Sequence, residues 1–418
     1  MRTEDELVTA LREGVKGAPE SDLLAGVTRL RKRRARRRAQ FLAAAAVVAV
    51  AGTGTAVIRG AAVDGPPQPQ GSVTASAEVS ATVTATVTAS ATTSPESVRR
   101  QDAVAGELWP DAVFTMPAEN SDGWRYRPIT AISPTEVLLS AESSFEKAGK
   151  FEVYDSATGT ARVVAEVPED DRLKRYITQS VTVDGENLAW YAYGEQADGT
   201  QIRDIWTVPL AGGDPRLVTS RVGEDADLDA IALDGDHVVW SEVDGGVWRH
   251  PLGGSTPEKI PGSDGLHLIK WPWASDVADL PGDMERSQTR LVNLEDGSNV
   301  SVQAPPGVER LRCGPVWCFG RGSDGTVVTR VDGSQPPRRI QVSSGGPARY
   351  PILDRFLPAS MAVYDLATGK LAAFGGTGTW YGMGVSSEPS AIYYWGATKG
   401  DKPDKFRVLN LAAVPPAQ

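Results

Sequence analysis

The stretch Val153-Tyr154-Asp155-Ser156, which runs into the turn Ala157-Thr158-Gly159, is the first of seven similar stretches that decide the fold of this chain. Each is a short, mainly apolar segment, and most of them run directly into a polar or glycine-containing turn. The stretches end at residues 156, 210, 252, 294, 331, 366 and 411, with a mean spacing of about 42 residues. The other six are Val208-Pro209-Leu210, His250-Pro251-Leu252, Val292-Asn293-Leu294, Thr329-Arg330-Val331, Val363-Tyr364-Asp365-Leu366 and Leu409-Asn410-Leu411.

A repeat of roughly 40–45 residues made of short strands is typical of a β-propeller blade. The 43 glycines and 29 prolines suit a chain that turns every ten residues or so, and the 11 tryptophans suit sheets packed face to face. The sequence therefore predicts an all-β fold, a seven-bladed β-propeller over residues 105–418.

Two segments show the strand and turn pattern inside a blade. In Asp184-Gly185-Glu186-Asn187-Leu188-Ala189-Trp190 and Asp234-Gly235-Asp236-His237-Val238-Val239-Trp240, an Asp-Gly turn precedes an apolar strand that contains tryptophan. Asp-Gly supplies the positive φ that tight hairpins need. These segments resemble the turn and strand of TolB-like and WD40-like propellers, and the resemblance covers about 300 residues.

The N-terminal region predicts a membrane anchor. Residues 1–40 contain 11 Lys/Arg and six Asp/Glu, and end in a basic run from Arg31 to Arg38. Phe41–Ile58 follows without a charge and would span about 27 Å as a helix, enough for the bilayer core. The preceding positive charge predicts a cytoplasmic N-terminus and an extracytoplasmic C-terminal domain. The rival interpretation is a signal peptide cleaved near Gly54-Thr55-Ala56, although its n-region would be unusually long.

Residues 59–104 are rich in Pro, Ser, Thr and Ala, and predict a disordered stalk because such side chains bury too little surface to offset chain entropy. Residues 1–40 predict short amphipathic helices, with Leu7, Leu11 and Val15 on one face of the first. Such a tail ahead of one helix resembles those of actinobacterial membrane proteins that act as anti-sigma factors, although their zinc-binding His/Cys motif is missing here. The tail either binds a cytoplasmic partner, lies on the membrane surface, or only sets the orientation of the protein in the membrane.

Few residues suggest chemistry. The sequence has no Gly-x-Ser-x-Gly motif, and its three histidines are scattered, so we expect no catalytic residues, no metal site and no cofactor. The alternating carboxylates from Asp225 to Asp229 lack the glycine of a calcium loop and are interpreted as an acidic surface loop. The net charge is −10, and the part beyond residue 40 carries −15, which argues against nucleic acid as a partner.

Two local motifs remain as candidate sites. Trp271-Pro272-Trp273 places two aromatic side chains around a proline, and they either line a ligand surface or pack between blades. Cys313 and Cys318 flank a Gly-Pro turn, and an oxidising compartment would join them in a local disulfide. Two separate buried thiols are the alternative.

The seventh stretch is followed only by residues 412–418, whose two prolines cannot complete a sheet. The spare apolar stretch Ala112–Met116 lies ahead of the first blade. We therefore expect it to pair with the strand ending near Leu411 and close the ring.

Taken together, the sequence favours a membrane-anchored, non-enzymatic binding or scaffolding module whose partner is an extracytoplasmic protein or a cell-wall ligand. The alternatives are a signalling protein whose tail restrains a cytoplasmic regulator, and a cell-envelope hydrolase or lyase.

Overall fold

The structure is a computed structural model, which describes residues 102–144, 147–223, 227–254, 256–278, 280, 283–340, 350–359, 361–375, 380–381, 386–397 and 403–417. These residues form seven four-stranded sheets. Each of the seven repeated stretches lies in or directly after a strand of a different sheet. The prediction of a seven-bladed β-propeller is confirmed, and we number the blades 1–7 in chain order.

Blades 1–5 are each built from four consecutive antiparallel strands, which we call first to fourth from the central channel outwards. Blade 1 has β3 (Arg125–Ala131), β4 (Glu136–Ser144), β5 (Lys147–Asp155) and β6 (Thr160–Glu166). Blade 2 has β7 (Arg175–Val183), β8 (Asn187–Glu195), β9 (Gln201–Pro209) and β10 (Arg216–Val222). Blade 3 has β11 (Leu228–Asp234), β12 (His237–Glu242), β13 (Val247–Pro251) and β14 (Glu258–Lys259). Blade 4 has β15 (His267–Lys270), β16 (Trp273–Ser275), β17 (Arg290–Asn293) and β18 (Asn299–Ser301), and blade 5 has β19 (Glu309–Cys313), β20 (Trp317–Gly322), β21 (Gly325–Arg330) and β22 (Arg338–Ile340).

Blades 6 and 7 include strands from the N-terminal end of the described chain. Blade 6 contains β23 (Phe356–Ala359), β24 (Ala362–Asp365), β25 (Leu371–Ala373) and the outermost strand β1 (Asp102–Val104). Its innermost position is held by Ile352, which bridges Phe356. Blade 7 contains β26 (Trp380–Tyr381), β27 (Ile392–Gly396), β28 (Lys405–Asn410) and the outer strand β2 (Val113–Pro117).

The predicted ring closure is confirmed. β2 pairs antiparallel with β28 over five positions, from Val113 opposite Leu409 to Pro117 opposite Lys405. The N- and C-terminal ends of the propeller thus share blade 7, and the edge of β28 is covered.

The propeller starts earlier than the expected boundary at residue 105. Asp102–Val104, expected at the end of the stalk, forms β1 and pairs parallel with β25. Helix α1 (Ala105–Leu108) and a 3₁₀ turn (Pro110–Ala112) then lead to β2. Between them Trp109 is 6% exposed, and its ring meets that of Phe356 edge-on at 5.9 Å. Burying Ala105, Trp109 and Ala112 between blades 6 and 7 gives this short segment the apolar contacts that its sequence alone did not reveal.

Because strands alternate in direction, the connections fall on two faces of the ring. Turns between first and second strands, and between third and fourth, lie on what we call the lower face. Turns between second and third strands, and the links between blades, lie on the upper face. Contacts between neighbouring blades agree with this: Arg162, at the start of a fourth strand, donates to the carbonyl of Leu210, at the end of a third strand.

The blades hold together through apolar clusters between adjacent sheets. Trp190 and Trp240, each in the second strand of its blade, are fully buried. Trp190 packs between blades 1 and 2, with its ring 5.0 Å from that of Phe151, whereas Trp240 packs between blades 2 and 3. The turns before them have Gly185 at φ +101° and Gly235 at φ +54°, as expected for the Asp-Gly turns.

The expected tail (1–40), transmembrane helix (41–58) and most of the stalk lie outside the described residues. In the part of the chain that is described, no helix is long and apolar enough to cross a membrane.

Candidate functional site

The first strands of all blades converge on the central channel, which makes its lining the first candidate site of the propeller. The backbone groups on the inner edge of each first strand point into the channel and need hydrogen-bond partners. Much of that need is met by two segments of this chain. We call residues 386–391 the channel segment.

The channel segment connects the first and second strands of blade 7 and reaches the first strands of blades 2 and 3. The amide of Ser387 donates to the carbonyl oxygen of Val181 over 2.8 Å, and Ser386 forms a parallel bridge with Val181. The Oγ of Ser387 accepts a 2.9 Å hydrogen bond from the amide of Ile231. A single serine therefore joins two blades other than its own.

Three residues after Ser387, the channel segment also joins blade 1. The hydroxyl of Ser390, which is buried, donates to the carbonyl oxygen of Ile129 over 2.7 Å. The amide of Ala391 donates to the Oγ1 of Thr130 over 3.2 Å. Small side chains with a hydroxyl suit this position, since they fit the narrow channel and can donate as well as accept.

On the opposite side, Glu388 meets a polar group from blades 4 and 6. The Tyr350 hydroxyl donates to Glu388 Oε2 over 2.9 Å. Lys270 Nζ lies 3.4 Å from Asp354 Oδ2 and 6.0 Å from the centre of the Tyr350 ring. Blade 5 touches the same group, because a Cβ on Gly314 would lie only 2.8 Å from Cβ of Tyr350. We call Glu388, Tyr350, Lys270 and Asp354 the Glu388 cluster.

Burial is the main influence on the Glu388 carboxyl. It raises the pKa of Glu388 above the ordinary value, and the negative charge of Asp354 acts in the same direction. Lys270 and the hydrogen bond from Tyr350 act against this rise without cancelling it. Glu388 is thus a carboxyl group whose ionisation is resisted by its surroundings.

A second segment covers the inner edge of blade 5. The amide of Leu311 donates to Ser287 Oγ over 3.1 Å, and that of Cys313 donates to Gln288 Oε1 over 2.9 Å. The guanidinium of Arg312 holds this segment by donating to backbone carbonyls, including that of Asp283 at 3.0 Å. The connection between β16 and β17 therefore folds back onto a first strand.

These contacts restrict where a ligand could bind in the channel. The inner edges of β3, β7, β11 and β19 bind segments of the chain itself. A ligand entering at those positions would have to displace hydrogen bonds that already satisfy buried backbone groups, which costs on the order of 1–3 kcal/mol for each group left unpaired.

The two candidate tryptophans lie at the turn between β15 and β16. The Trp271–Pro272 peptide bond is cis. Trp271 packs against the cluster between blades 3 and 4, and Trp273 packs on the other side of blade 4, near Ile269, Leu291 and Tyr350. Both are partly exposed. The structure thus gives each ring packing contacts and leaves part of its surface at the lower face.

The two cysteines are joined by a disulfide bond. Cys313 ends β19, Cys318 lies directly opposite it in β20, and both are buried. The turn Gly314–Val316 makes them cross-strand partners, with Cα atoms 3.9 Å apart. The amide of Cys313 also holds Gln288, so the hairpin supports the segment that covers blade 5.

His267 and Asp227 each have a partner outside the Glu388 cluster. His267 is buried at the start of β15, with Nδ1 3.4 Å from Asp229 Oδ2. Asp227 pairs with Arg203, while Asp225 lies outside the described residues. Within the described ranges, no group of three or more His, Cys, Asp or Glu is placed to hold a metal ion.

Sequence reasoning missed the channel segment. Its signal is the length of the connection between the first two strands of blade 7, from Tyr381 to Ile392, against two to four residues in blades 1–5. The run Ser386-Ser387-Glu388-Pro389-Ser390 within it is unlike any other turn on the lower face.

No protein-family model matches the sequence, and no curated protein does. Several solved structures are similar in fold at low identity. An oligogalacturonate lyase in complex with manganese has 14% identity over 59% of this chain and 74% of its own, with a TM-score of 0.39. The β-propeller domain of the Trilobed protease from Pyrococcus furiosus has 10% identity over 68% and 90%, with a TM-score of 0.39. BamB from Moraxella catarrhalis has 13% identity over 71% and 88%, with a TM-score of 0.32. The strand pairing of this chain itself establishes the seven-bladed propeller.

Proposed function

We propose that this chain is a non-enzymatic binding or scaffolding module, tethered to the cell membrane through residues 41–58 with its propeller outside the cytoplasm. The observation that carries the proposal is the occupied channel. Segments of the chain itself bind the inner edges of β3, β7, β11 and β19. The partner is therefore a protein or cell-wall polymer that docks on a face of the ring.

The upper face is the better candidate for docking. The link from blade 7 to blade 1 and the other links between blades lie there, and loops on a rigid scaffold carry most binding functions. Met361, in the tight turn between β23 and β24, is 54% exposed with a left-handed φ of +56°. Met284, between β16 and β17, is 38% exposed. Flexible thioether side chains suit protein-binding surfaces, and a non-glycine residue with positive φ at a turn is a site of local strain.

A matched pair of variants tests which face binds. Leu353, in the corresponding tight turn of blade 6 on the lower face, is 48% exposed with φ +50°. We expect Met361→Glu and Met284→Glu to weaken capture of solubilised envelope proteins or cell-wall fragments by the full-length chain in nanodiscs at least tenfold, about 1.4 kcal/mol. Leu353→Glu should leave capture unchanged.

Two results would overturn this proposal. Equal capture by the Met361 and Leu353 variants would exclude the upper face, and substrate turnover by the purified full-length protein would exclude a non-enzymatic role. The alternative function of a tail that restrains a cytoplasmic regulator stays a prediction, which co-purification with residues 1–40 addresses.

The proposed membrane topology makes a separate prediction. Alkaline phosphatase fused after residue 100 should be active, because its disulfides form only outside the cytoplasm, and the fusion protein should remain with the membrane fraction. The basic run Arg31–Arg38 sets this orientation. Replacing its seven Lys/Arg with Gln should reduce the activity of the fusion. Release of a mature protein that begins near residue 57 would show cleavage instead of anchoring.

A further inference from the structure

The channel segment binds the inner strands of blades 1–3 and also carries the carboxyl group of the Glu388 cluster. Ser386, Ser387 and Ser390 bind inner strands of blades 1–3, while Glu388, in the middle of the same segment, lies in the Glu388 cluster on the opposite side. Adjacent residues thus face different blades, and the peptide between Ser387 and Glu388 links the Glu388 cluster to the strands of blades 2 and 3.

We propose that the channel segment is a pH-sensitive plug, seated when Glu388 is protonated and loosened from the strands of blades 2 and 3 when Glu388 ionises. The plug enters from the lower face, since it belongs to the connection between first and second strands. The switch is independent of which partner binds the upper face.

The charges around Glu388 decide the direction of the switch. Lys270 is the positive group in the cluster, and its Nζ pairs with Asp354 at 3.4 Å. Ionised Glu388 would share that one ammonium with a second carboxylate, because Tyr350 offers a hydroxyl and no charge. A protonated carboxyl keeps the hydrogen bond from Tyr350 through an oxygen and avoids the repulsion from Asp354.

The effect on stability follows from the sign of the pKa shift. Burial raises the pKa of Glu388 above its value in the unfolded chain. The contribution of Glu388 is therefore fully present below the unfolded pKa and is lost as the pH rises through the folded pKa. Mild acid seats the segment, and alkaline solution weakens its hold on Val181 and Ile231.

Amide hydrogen exchange on the full-length protein tests this directly. The amides of Ser387 and Ile231 donate the hydrogen bonds that seat the segment. After correction for intrinsic rates, we expect their protection to fall at least about threefold between pH 5 and pH 8. The amide of Leu311 donates to Ser287 at another channel edge. Its protection should stay constant, which provides a control within the wild-type protein.

Two carboxyl variants complete the experiment. Glu388→Gln cannot ionise and should remove the pH dependence at Ser387 and Ile231. Glu142→Gln, at another partly buried carboxyl whose pKa burial also raises, should retain it, because Glu142 pairs with Arg127 in blade 1. Constant protection at Ser387 and Ile231 in the wild type would overturn the proposal even if Glu388→Gln does not fold. An unchanged pH dependence in Glu388→Gln would overturn it as well.

Discussion

Removing residues 102–117 is expected to unfold the whole propeller instead of one blade. The deletion takes away β2, which covers β28 over five positions, and β1, which pairs with β25. It also removes Trp109 from the cluster between blades 6 and 7. Because every blade is supported by two neighbours, an opened ring leaves two sheet faces without partners. Loss of the cooperative transition in thermal unfolding followed by circular dichroism would show this.

A point variant and a control deletion sharpen this prediction. Trp109→Ala should cost about 3–5 kcal/mol of unfolding free energy, the usual range for a buried aromatic side chain, while leaving the strand pairing intact. Deleting residues 61–100 should leave the unfolding midpoint of the propeller unchanged. If the chain without 102–117 unfolds at the wild-type midpoint, the closing role assigned to this segment is wrong.

Replacing Asp365 with asparagine should be the most damaging single charge substitution among the ion pairs of the described chain. Asp365 is fully buried, and both of its oxygens accept from Arg355, at 2.9 and 2.7 Å. Arg355 also donates to the carbonyl of Pro415, so the pair ties blade 6 to the C-terminal segment. The neutral amide of the variant would leave the guanidinium without its counter-charge, at roughly 3–5 kcal/mol. Urea unfolding of the Asp365→Asn variant measures this loss.

Blade 1 supplies a matched control for Asp365. The turns Asp155-Ser-Ala-Thr-Gly and Asp365-Leu-Ala-Thr-Gly differ at one position. In each, the aspartate accepts from the amide two residues on and from the threonine hydroxyl three residues on. Asp155 is partly exposed, and no arginine pairs with it among the described residues. We expect Asp155→Asn to cost much less, and equal costs would show that the turn, not the ion pair, matters.

The pH dependence of Asp365 has the opposite sign to that of Glu388. Burial alone raises the pKa of Asp365, but hydrogen bonds from Arg355, Thr368 and the amide of Ala367 outweigh it and lower the pKa. Its contribution is present above the unfolded pKa of about 3.9 and is lost as the pH falls through the lower folded value. Below about pH 4, the difference in unfolding free energy between the wild type and Asp365→Asn should therefore become smaller.

The sequence predicted the architecture because each blade repeats the same physical requirement. A third strand that ends in a tight turn has a recognisable sequence pattern, and seven such patterns at propeller spacing predicted the blade count. The closing strand was also predictable, since the two prolines after Leu411 cannot donate ladder hydrogen bonds and Ala112–Met116 was an apolar stretch without a local partner. Pairing of β2 with β28 confirms that reasoning.

The interior of the channel was not predictable in the same way. Ser387 and Ser390 are ordinary polar residues in sequence, and their role depends on strands that lie more than 150 residues away, such as Ile231. The Glu388 cluster likewise joins residues from blades 4, 6 and 7 that share no local motif. The strand β1 escaped notice because three residues carry too little pattern to indicate a parallel pairing.

The parallel pairing of β1 with β25 determines how the propeller responds to tension. Asp102 lies opposite Leu371, directly after the lower-face turn that ends β24, so the chain enters the ring at that face. A pull on Asp102 away from that face runs along the axis of β1. Its hydrogen bonds to β25 are then loaded together in shear instead of being peeled one by one. β2, which closes the ring, follows β1 and α1 along the chain, so a load applied at Asp102 reaches β1 first. A load applied to the chain at Asp102 must therefore break a short, separate sheet contact before it reaches the strand that keeps the seven blades closed.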